Sequence, residues 1–544
     1  MTEQHEYSGS VEQLFGLVES LGRHRPEQSV LRLLSYRAQS LGPSRPQWLG
    51  SLRAMLDQYF LHDARPSVRI RALNLLRQAY TENKRLYGEQ VCERVVLPLC
   101  GRLERESDLE VGPALVHFLV DVAKDSRTQQ FYELASLFDG LLIGRLEGSS
   151  GDQLVLPAHR ETLSAYLSLS ETTVAGLLEV VRCKWPASTL SPHALHLLHL
   201  LCRHVLMQYS RCLQQAAPDQ HQARLLLLAF LLRLSVSGNL QVGIPGADAP
   251  TRPIYSPFVL CDPESVCGST AGASGEHQHQ QTTQDSPPPT PSARSTVLDT
   301  RLCMETVSEC LRSETALPVL RCVLSHLPTL LSHSALVLSC GPEPVAVLCD
   351  VLLSLPEHWL ARLDMDSGSS ASDQWELKQL TVPVLSALVS HHGSLSPSLQ
   401  QRLIRAILAT VDSLKSSASV LASILCLVEL GPALSPHLPT LLSHLTHIPP
   451  APTTAIAILE FLCHLSQQPQ LFKPVLVEWD YVVVMSLLSP LVDVHKFTEF
   501  IVALGYQTLM AWFLRTPLPH RPALVRLLTH TFQTQHAALT NPPE

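Results

Sequence analysis

One local pattern recurs along almost the whole of this chain: leucine-rich segments with helical spacing, each cut by a short break of Pro, Ser, Gly or Asp. Almost no alternating polar and apolar run, of the kind a half-buried strand requires, lies between them. The chain therefore reads as all-α. The clearest segment is Asp63 to Tyr80, where Pro66 sits near a helix start and Val68, Ala72, Leu75, Leu76 and Ala79 fall on one face. The same register returns 43 residues on at Val111, with Leu115, Leu119 and Ala123. Val319 to Leu331, Val382 to Val389, Leu403 to Leu414, Val420 to Leu430, Leu438 to Leu445 and Ala455 to Leu465 read as further helices joined by brief turns.

Length decides what such helices can build. A chain of 544 residues is beyond the size at which one core keeps growing, which leaves several domains or a stacked repeat. Apolar residues make up 45% of the chain and charged residues 16%, a balance that suits helices covered by neighbours on more than one side. Helix pairs recurring at this interval match the HEAT range, and Asp63, Pro66, Val68, Arg69 and Ala72 look like the second helix of a HEAT unit. The expected fold is a HEAT/armadillo-like α-solenoid.

Two stretches interrupt it. Gly268 to Ser295 is built from Gly, Ser, Gln, His and Thr and runs into Pro287, Pro288, Pro289 and Pro291; it lacks the apolar surface to offset its ordering entropy, so a disordered Pro/Ser/Gln-rich insertion is expected. Asp364 to Asp373, rich in Ser and Gly, reads as a loop. The expected organisation is a first helical array over 1–240, an irregular connector and linker over 241–297, and a second array over 298–544.

Composition narrows the function. A net charge of -8 gives no field that would gather phosphates, and no basic run substitutes for one, so nucleic acid is not an expected partner. The 14 cysteines are scattered without a C-x-x-C pair, which predicts reduced, mostly buried thiols rather than a zinc module or a disulfide framework. Met1 to Tyr7 carries Glu3, His5 and Glu6 ahead of no continuous apolar stretch, and Leu225 to Leu232 is the longest apolar run before Arg233. Neither a secretory signal nor a membrane span is expected, and a cytosolic location is.

Signatures of chemistry are sparse. G-x-S-x-G, H-E-x-x-H, G-x-x-x-x-G-K-[ST] and G-x-G-x-x-G are all missing, so no catalytic residue and no cofactor-binding residue is assigned. His193, His196 and His199 recur every third residue with Cys202 next, but steps of three rotate around a helix, so the four drift apart; a polar helix face is expected rather than a metal site. Ser286 before Pro287 and Thr290 before Pro291 fit proline-directed phosphorylation in an exposed linker.

Several ordered blocks carry a resemblance. Ser35 to Ser40 with Trp48 and Met55 to Phe60, then Tyr80, Glu82, Asn83, Leu86 and Tyr87, then Tyr255, Ser256, Pro257, Cys261 and Asp262 come first. The densest block follows: Leu445 to Ile448, Leu459 to Leu462, Lys496, Phe497, Ile501, Val502, Met510, Ala511, Trp512, Phe513, Leu518, Pro519 and Arg521. In this order they resemble the conserved middle region of the tuberin family. The resemblance implies a HEAT-type scaffold that binds the coiled-coil protein hamartin, supports GTPase activation of the small GTPase Rheb and restrains TOR signalling. It also implies a cytoplasmic protein that reaches the lysosomal membrane only peripherally, through its complex. The family's catalytic asparagine belongs to a Rap-GAP-like domain that these residues do not match, so contact with Rheb is expected only through that missing domain. A general solenoid adaptor for transport or trafficking is the alternative expectation.

Phe497, Phe500, Ile501, Leu504, Met510, Trp512 and Phe513 make the last helical region apolar nearly all round. Core packing accounts for such a set, or a helix of the partner covers it; Phe497, Ile501, Trp512 and Phe513 are the candidate partner surface.

Overall fold

The breaks in the sequence become helix caps. In a computed structural model of the protein, Asp299, Ser396 and Ser416 accept hydrogen bonds from the backbone N–H groups of Leu302, Leu399 and Ser419, and Pro66, Pro397 and Pro452 occupy first helical positions. Each places a residue that cannot continue the preceding helix where the next one starts. The structure describes residues 25–38, 41–45, 47–100, 110–127, 129–144, 160–211, 221–247, 252–261, 296–363 and 371–540, with Gln13, Gly16, Leu17 and Asp108 besides. Two units result: one reaches Leu260 and takes in 296–298, and the other holds Cys261 and the chain from Asp299.

The first unit contains α1 (Glu27–Ala38), α2 (Trp48–Leu56), α3 (Pro66–Val91), α4 (Val111–Asp125), α5 (Gln130–Asp139), α6 (Arg160–Lys184), α7 (Ser191–Arg211) and α8 (Gln222–Leu231). Helices α1, α3, α4, α6 and α8 pack one against the next as a layer, and α2, the segment 92–100, α5 and α7 form a second layer beneath it. Val68 and Val111, matched in the sequence, are both fully buried on the neighbouring helices α3 and α4. Helices α4 and α6 meet closely because Gly176 has no side chain: a Cβ there would stand 2.5 Å from a methyl of Val120. Across the layer run the ion pairs Arg77–Asp121 (2.6 Å), Lys84–Asp125 (2.8 Å) and Lys124–Glu179 (2.8 Å).

The connector expected to be irregular is instead a small sheet where it is described. Strands β1 (Ser235–Val236), β2 (Gln241–Pro245), β3 (Pro253–Leu260) and β4 (Thr296–Val297) lie in that order. The first three are antiparallel, with Gly243 opposite both Ser235 and Tyr255, and β4 runs parallel to β3. The strands are short and carry Pro245, Pro253 and Pro257, so no alternating run long enough to read as β appears in the sequence. Trp185, fully buried, donates its indole N–H to the Val242 carbonyl at 3.1 Å and fixes the sheet to the end of α6. The linker 268–295 and residues 364–370 lie outside the described residues; Ala371 to Asp373, expected in a loop, begin a helix.

The second unit is more regular. Its helices are α9 (Thr300–Ser313), α10 (Leu317–Ser332), α11 (Pro342–Leu363), α12 (Ala371–Val389), α13 (Pro397–Leu414), α14 (Ser417–Glu429), α15 (Leu438–Thr446), α16 (Pro452–Ser466), α17 (Glu478–Leu488), α18 (Glu499–Arg515) and α19 (Arg521–Thr540). One layer runs α9, α11, α13, α15, α17, α19, each helix packed on the next, and the other runs α10, α12, α14, α16, α18. Helices alternate between layers along the chain, so every pair repeats the contacts of the pair before it. That is an α-solenoid. Leucine, isoleucine and valine on both inward stripes, among them Leu327, Leu388, Ile407, Leu441, Ile458 and Val484, are almost completely buried between the layers.

Candidate interaction surface

The two outer faces of the second unit differ in chemistry. Along the odd-numbered layer, ion pairs and histidine–carboxylate contacts join neighbouring elements: Arg301–Glu343 (2.9 Å), Arg402–Asp350, His444 of α15 with Asp412 of α13 (3.2 Å), and His520 with Glu478 (3.5 Å). Among the described residues the even-numbered layer carries fewer: Arg321 of α10 reaches Asp373 (2.7 Å) and Glu376 (2.8 Å) of α12, and His392, just after α12, faces Glu429 at the end of α14 (3.7 Å). At its centre α14 packs on α12, α13 and α16, leaving one side open. That side carries Leu421, Leu425 and Val428, of which Val428 is 55% exposed.

Helix α14 is thus apolar on its inner and outer faces alike, and its only charged residue is Glu429 at the end. Water gains nothing from this outer stripe, and residues at i, i+4 and i+7 form the strip into which an amphipathic helix lays its own apolar face. Two helices along the same layer, α18 presents Phe500, Met510 and Leu514 outward, followed by Leu518; Phe500 is 66% exposed. The stripe on α14 was legible in principle, since no polar residue interrupts Ala418, Leu421, Leu425 and Val428.

The structure redistributes the candidates named from sequence. Trp512 is fully buried: its indole N–H donates to the Leu462 carbonyl at 2.9 Å, and its ring lies 4.8 Å from Phe472 and 6.4 Å from Tyr481. Phe497 and Ile501 are buried too, while Phe513 is partly exposed with the Arg521 guanidinium 5.6 Å over its ring. As a partner surface this quartet is corrected: three of the four hold α18 in the stack, because a helix between two layers must spend its largest side chains inward. The exposed residues are their neighbours Phe500, Met510 and Leu514. Ser286 and Thr290 lie outside the described residues.

The histidine run on α7 does not form one polar face. His196 and His199 are exposed, whereas His193 is buried and stacks on Phe131 with centroids 4.1 Å apart, and Cys202 is buried. Burial, together with the nearby Lys184 charge, pushes the His193 pKa down to about 4. Lys184 is itself buried over the Phe131 ring (4.8 Å) and donates to the Ser126 carbonyl, and burial lowers its pKa to about 8.

One arrangement in the first unit has the look of a nucleophile and its base. Ser170 Oγ and His204 Nε2 are 2.7 Å apart, and His204 Nδ1 faces the Leu142 carbonyl at 3.1 Å. Gln208 donates to Ser170 Oγ at 3.1 Å. Both Ser170 and His204 are sealed inside the unit, and burial pushes the His204 pKa down to about 4. A neutral imidazole that water cannot reach joins α6, α7 and the segment 140–144 as a hydrogen-bonded polar core; it has no route to a substrate. The thiols behave alike: Cys92, Cys349 and Cys426 are buried and their pKa values are pushed up to about 12, while Cys183 is exposed.

Comparison with known proteins agrees with the blocks read from the sequence. Among solved structures, a circular tandem repeat protein with novel repeat topology is 11% identical over 97% of this chain and 98% of its own, with a TM-score of 0.28. A mutant of Kap121p is also 11% identical, over 98% of this chain and 48% of its own, with a TM-score of 0.30. The present chain therefore spans about half of that protein. At such superposition the assignment rests on the family models. A model described as a domain of unknown function (DUF3384) matches residues 1–77. The model described as Tuberin matches residues 167–519, well over half of the chain and across both units. The chain belongs to the tuberin family.

Proposed function

We propose that this chain is a scaffold that holds hamartin along the even-numbered layer of its second unit and, within the family's complex, supports GTPase activation of Rheb and the restraint of TOR signalling. The reading is supported by the Tuberin match over residues 167–519 and by the open apolar stripe of Leu421, Leu425 and Val428. A coiled-coil partner offers a helix with an apolar seam, which is the complement such a stripe requires. The chain's contribution is positional: a rigid stack fixes the partner relative to a catalytic domain carried elsewhere in the complex.

Size-exclusion chromatography of the purified chain with hamartin tests this. A stoichiometric complex that survives the column supports the scaffold reading, and its loss in Leu421→Glu/Val428→Glu places the partner on α14. A well-folded chain that elutes apart from hamartin turns the reading toward a general solenoid adaptor.

A further inference from the structure

Each step of the ladder on the odd-numbered layer sets an acid of one element against a base of the next, and at one step a third metal-ligating side chain joins them. Where α13 meets α15, three ligand-bearing residues converge: Asp412, His444 and His447, whose nearest donor atoms all lie within 4.8 Å of one another. Asp412 Oδ1 and His444 Nδ1 are 3.2 Å apart. His444 is in the last turn of α15, and His447 is its C-cap, with its backbone N–H on the His444 carbonyl at 3.1 Å. Asp412 sits in the last turn of α13. The two helices are packed side by side in the same layer.

The electrostatics of this corner favour a cation. A helix C-terminus carries a partial negative charge and unpaired carbonyls, so a carboxylate in the last turn is at the unfavourable end. The protein nonetheless keeps Asp412 at such an end and aims it at a histidine from the C-terminal end of the adjacent helix. A metal ion bound tetrahedrally at about 2.0–2.2 Å from nitrogen and oxygen holds its ligands about 3.4 Å apart. Asp412 and His444 already have that spacing, and the exposed His447 closes the remainder by side-chain rotation. Two imidazoles with one carboxylate suit zinc or a neighbouring borderline transition metal and suit calcium or magnesium poorly, because the latter prefer all-oxygen shells.

The geometry points to a surface zinc-class site in which Asp412, His444 and His447 clip α13 to α15, with solvent completing the coordination. Its effect would be mechanical, tying consecutive helices of one layer on the face opposite the apolar stripe of α14. The sequence conceals it because Asp412 lies 32 residues before His444, and only the stacking of α13 on α15 brings them together.

The experiment is titration of the intact chain with Zn2+ by calorimetry, with Co2+ absorption as a second reading, on wild type, His447→Ala and Asp412→Asn. His447→Ala is the informative variant, because it removes an exposed ligand and leaves the Asp412–His444 pair in place, so the fold is unaffected. Wild type should show a saturable site that weakens by about tenfold or more in both variants, with the cobalt bands of the bound form lost in parallel. Zinc binding that is the same in wild type and both variants would assign the metal to other histidines or to the exposed Cys183 and would overturn the proposal; so would the lack of any saturable binding.

Discussion

Both units carry ion pairs on their surfaces, but they differ in what else they do with polar and apolar groups. The first hides ionisable groups in its interior, where Lys184, His193 and His204 are buried with their pKa values lowered. The second also buries Glu314, His391 and Asp480, but it carries a ladder of charges along one layer and leaves apolar side chains outside on the other. Burying a neutral histidine with its hydrogen bonds satisfied fixes a unique core but makes that core sensitive to pH. An exposed leucine stripe adds nothing to the stability of the unit that carries it, so it marks a surface whose value lies in what covers it. The first unit is thus specialised inward and the second outward.

The largest way to break this contrast is to attack the interior of the second unit. Trp512→Ala removes the hydrogen bond to Leu462 and the ring contacts with Phe472 and Tyr481. It should destabilise that unit by about 3–5 kcal/mol, read as a lower urea midpoint and as faster hydrogen exchange in α16–α18 with the first unit unchanged. A variant of ordinary stability would mean that α18 is held by something other than its core tryptophan.

Acid should act most strongly on the first unit, although burial lowers the His333 pKa in the second as well. His204 has a folded-state pKa of about 4 against the ordinary histidine value of 6.5, so the unfolded chain takes up a proton that the folded chain refuses. Stability is therefore fully present above pH 6.5 and is lost as pH falls from 6.5 to 4, by about 3 kcal/mol for this residue. His193 adds to the loss in the same window. Lys184 acts at the other end: its pKa of about 8 means that stability rises as pH climbs from about 8 toward the ordinary lysine value of 10.5. Segment-resolved exchange at pH 7.5, 5.5 and 4.5 checks the acid limb, and equal loss in both units would break the contrast.

Surface substitutions sharpen it from the other side. Leu421→Glu/Val428→Glu should change the stability of the second unit by no more than about 0.5 kcal/mol per residue while abolishing co-elution with hamartin. If thermal stability falls as far as in Trp512→Ala, the stripe is packed rather than open.

How much of this was legible depended on range. Periodicity located the helices, because Val68 and Val111 occupy equivalent positions of a repeating unit and both are buried where that repeat demands. Composition located the exposed stripe only in outline: seven apolar residues near the C-terminus look alike in sequence, and which of them face inward depends on α16 and α17, far along the chain. Trp512 therefore read as a candidate partner residue although it is fully buried. The sheet escaped because its strands are short and broken by proline. The Ser170–His204 pair, 34 residues apart, and the Asp412–His444 pair exist only through stacking, which no local pattern records.

The ladder itself should prove nearly silent. Arg402 and Asp350 are about half exposed, with side-chain exposures of 46% and 58%, so water screens the attraction and ordering two long side chains opposes it. A double-mutant cycle on Arg402→Ala and Asp350→Ala should give a coupling of about 0.2–1 kcal/mol that shrinks with added salt. The stack would then owe its cohesion to the leucines between its layers, and the charges on the odd-numbered face would serve to keep that face solvated and unavailable to an apolar partner. A coupling of several kcal/mol would reverse this, making the charged layer the part that holds successive repeats in register and the apolar layer merely the side left uncovered.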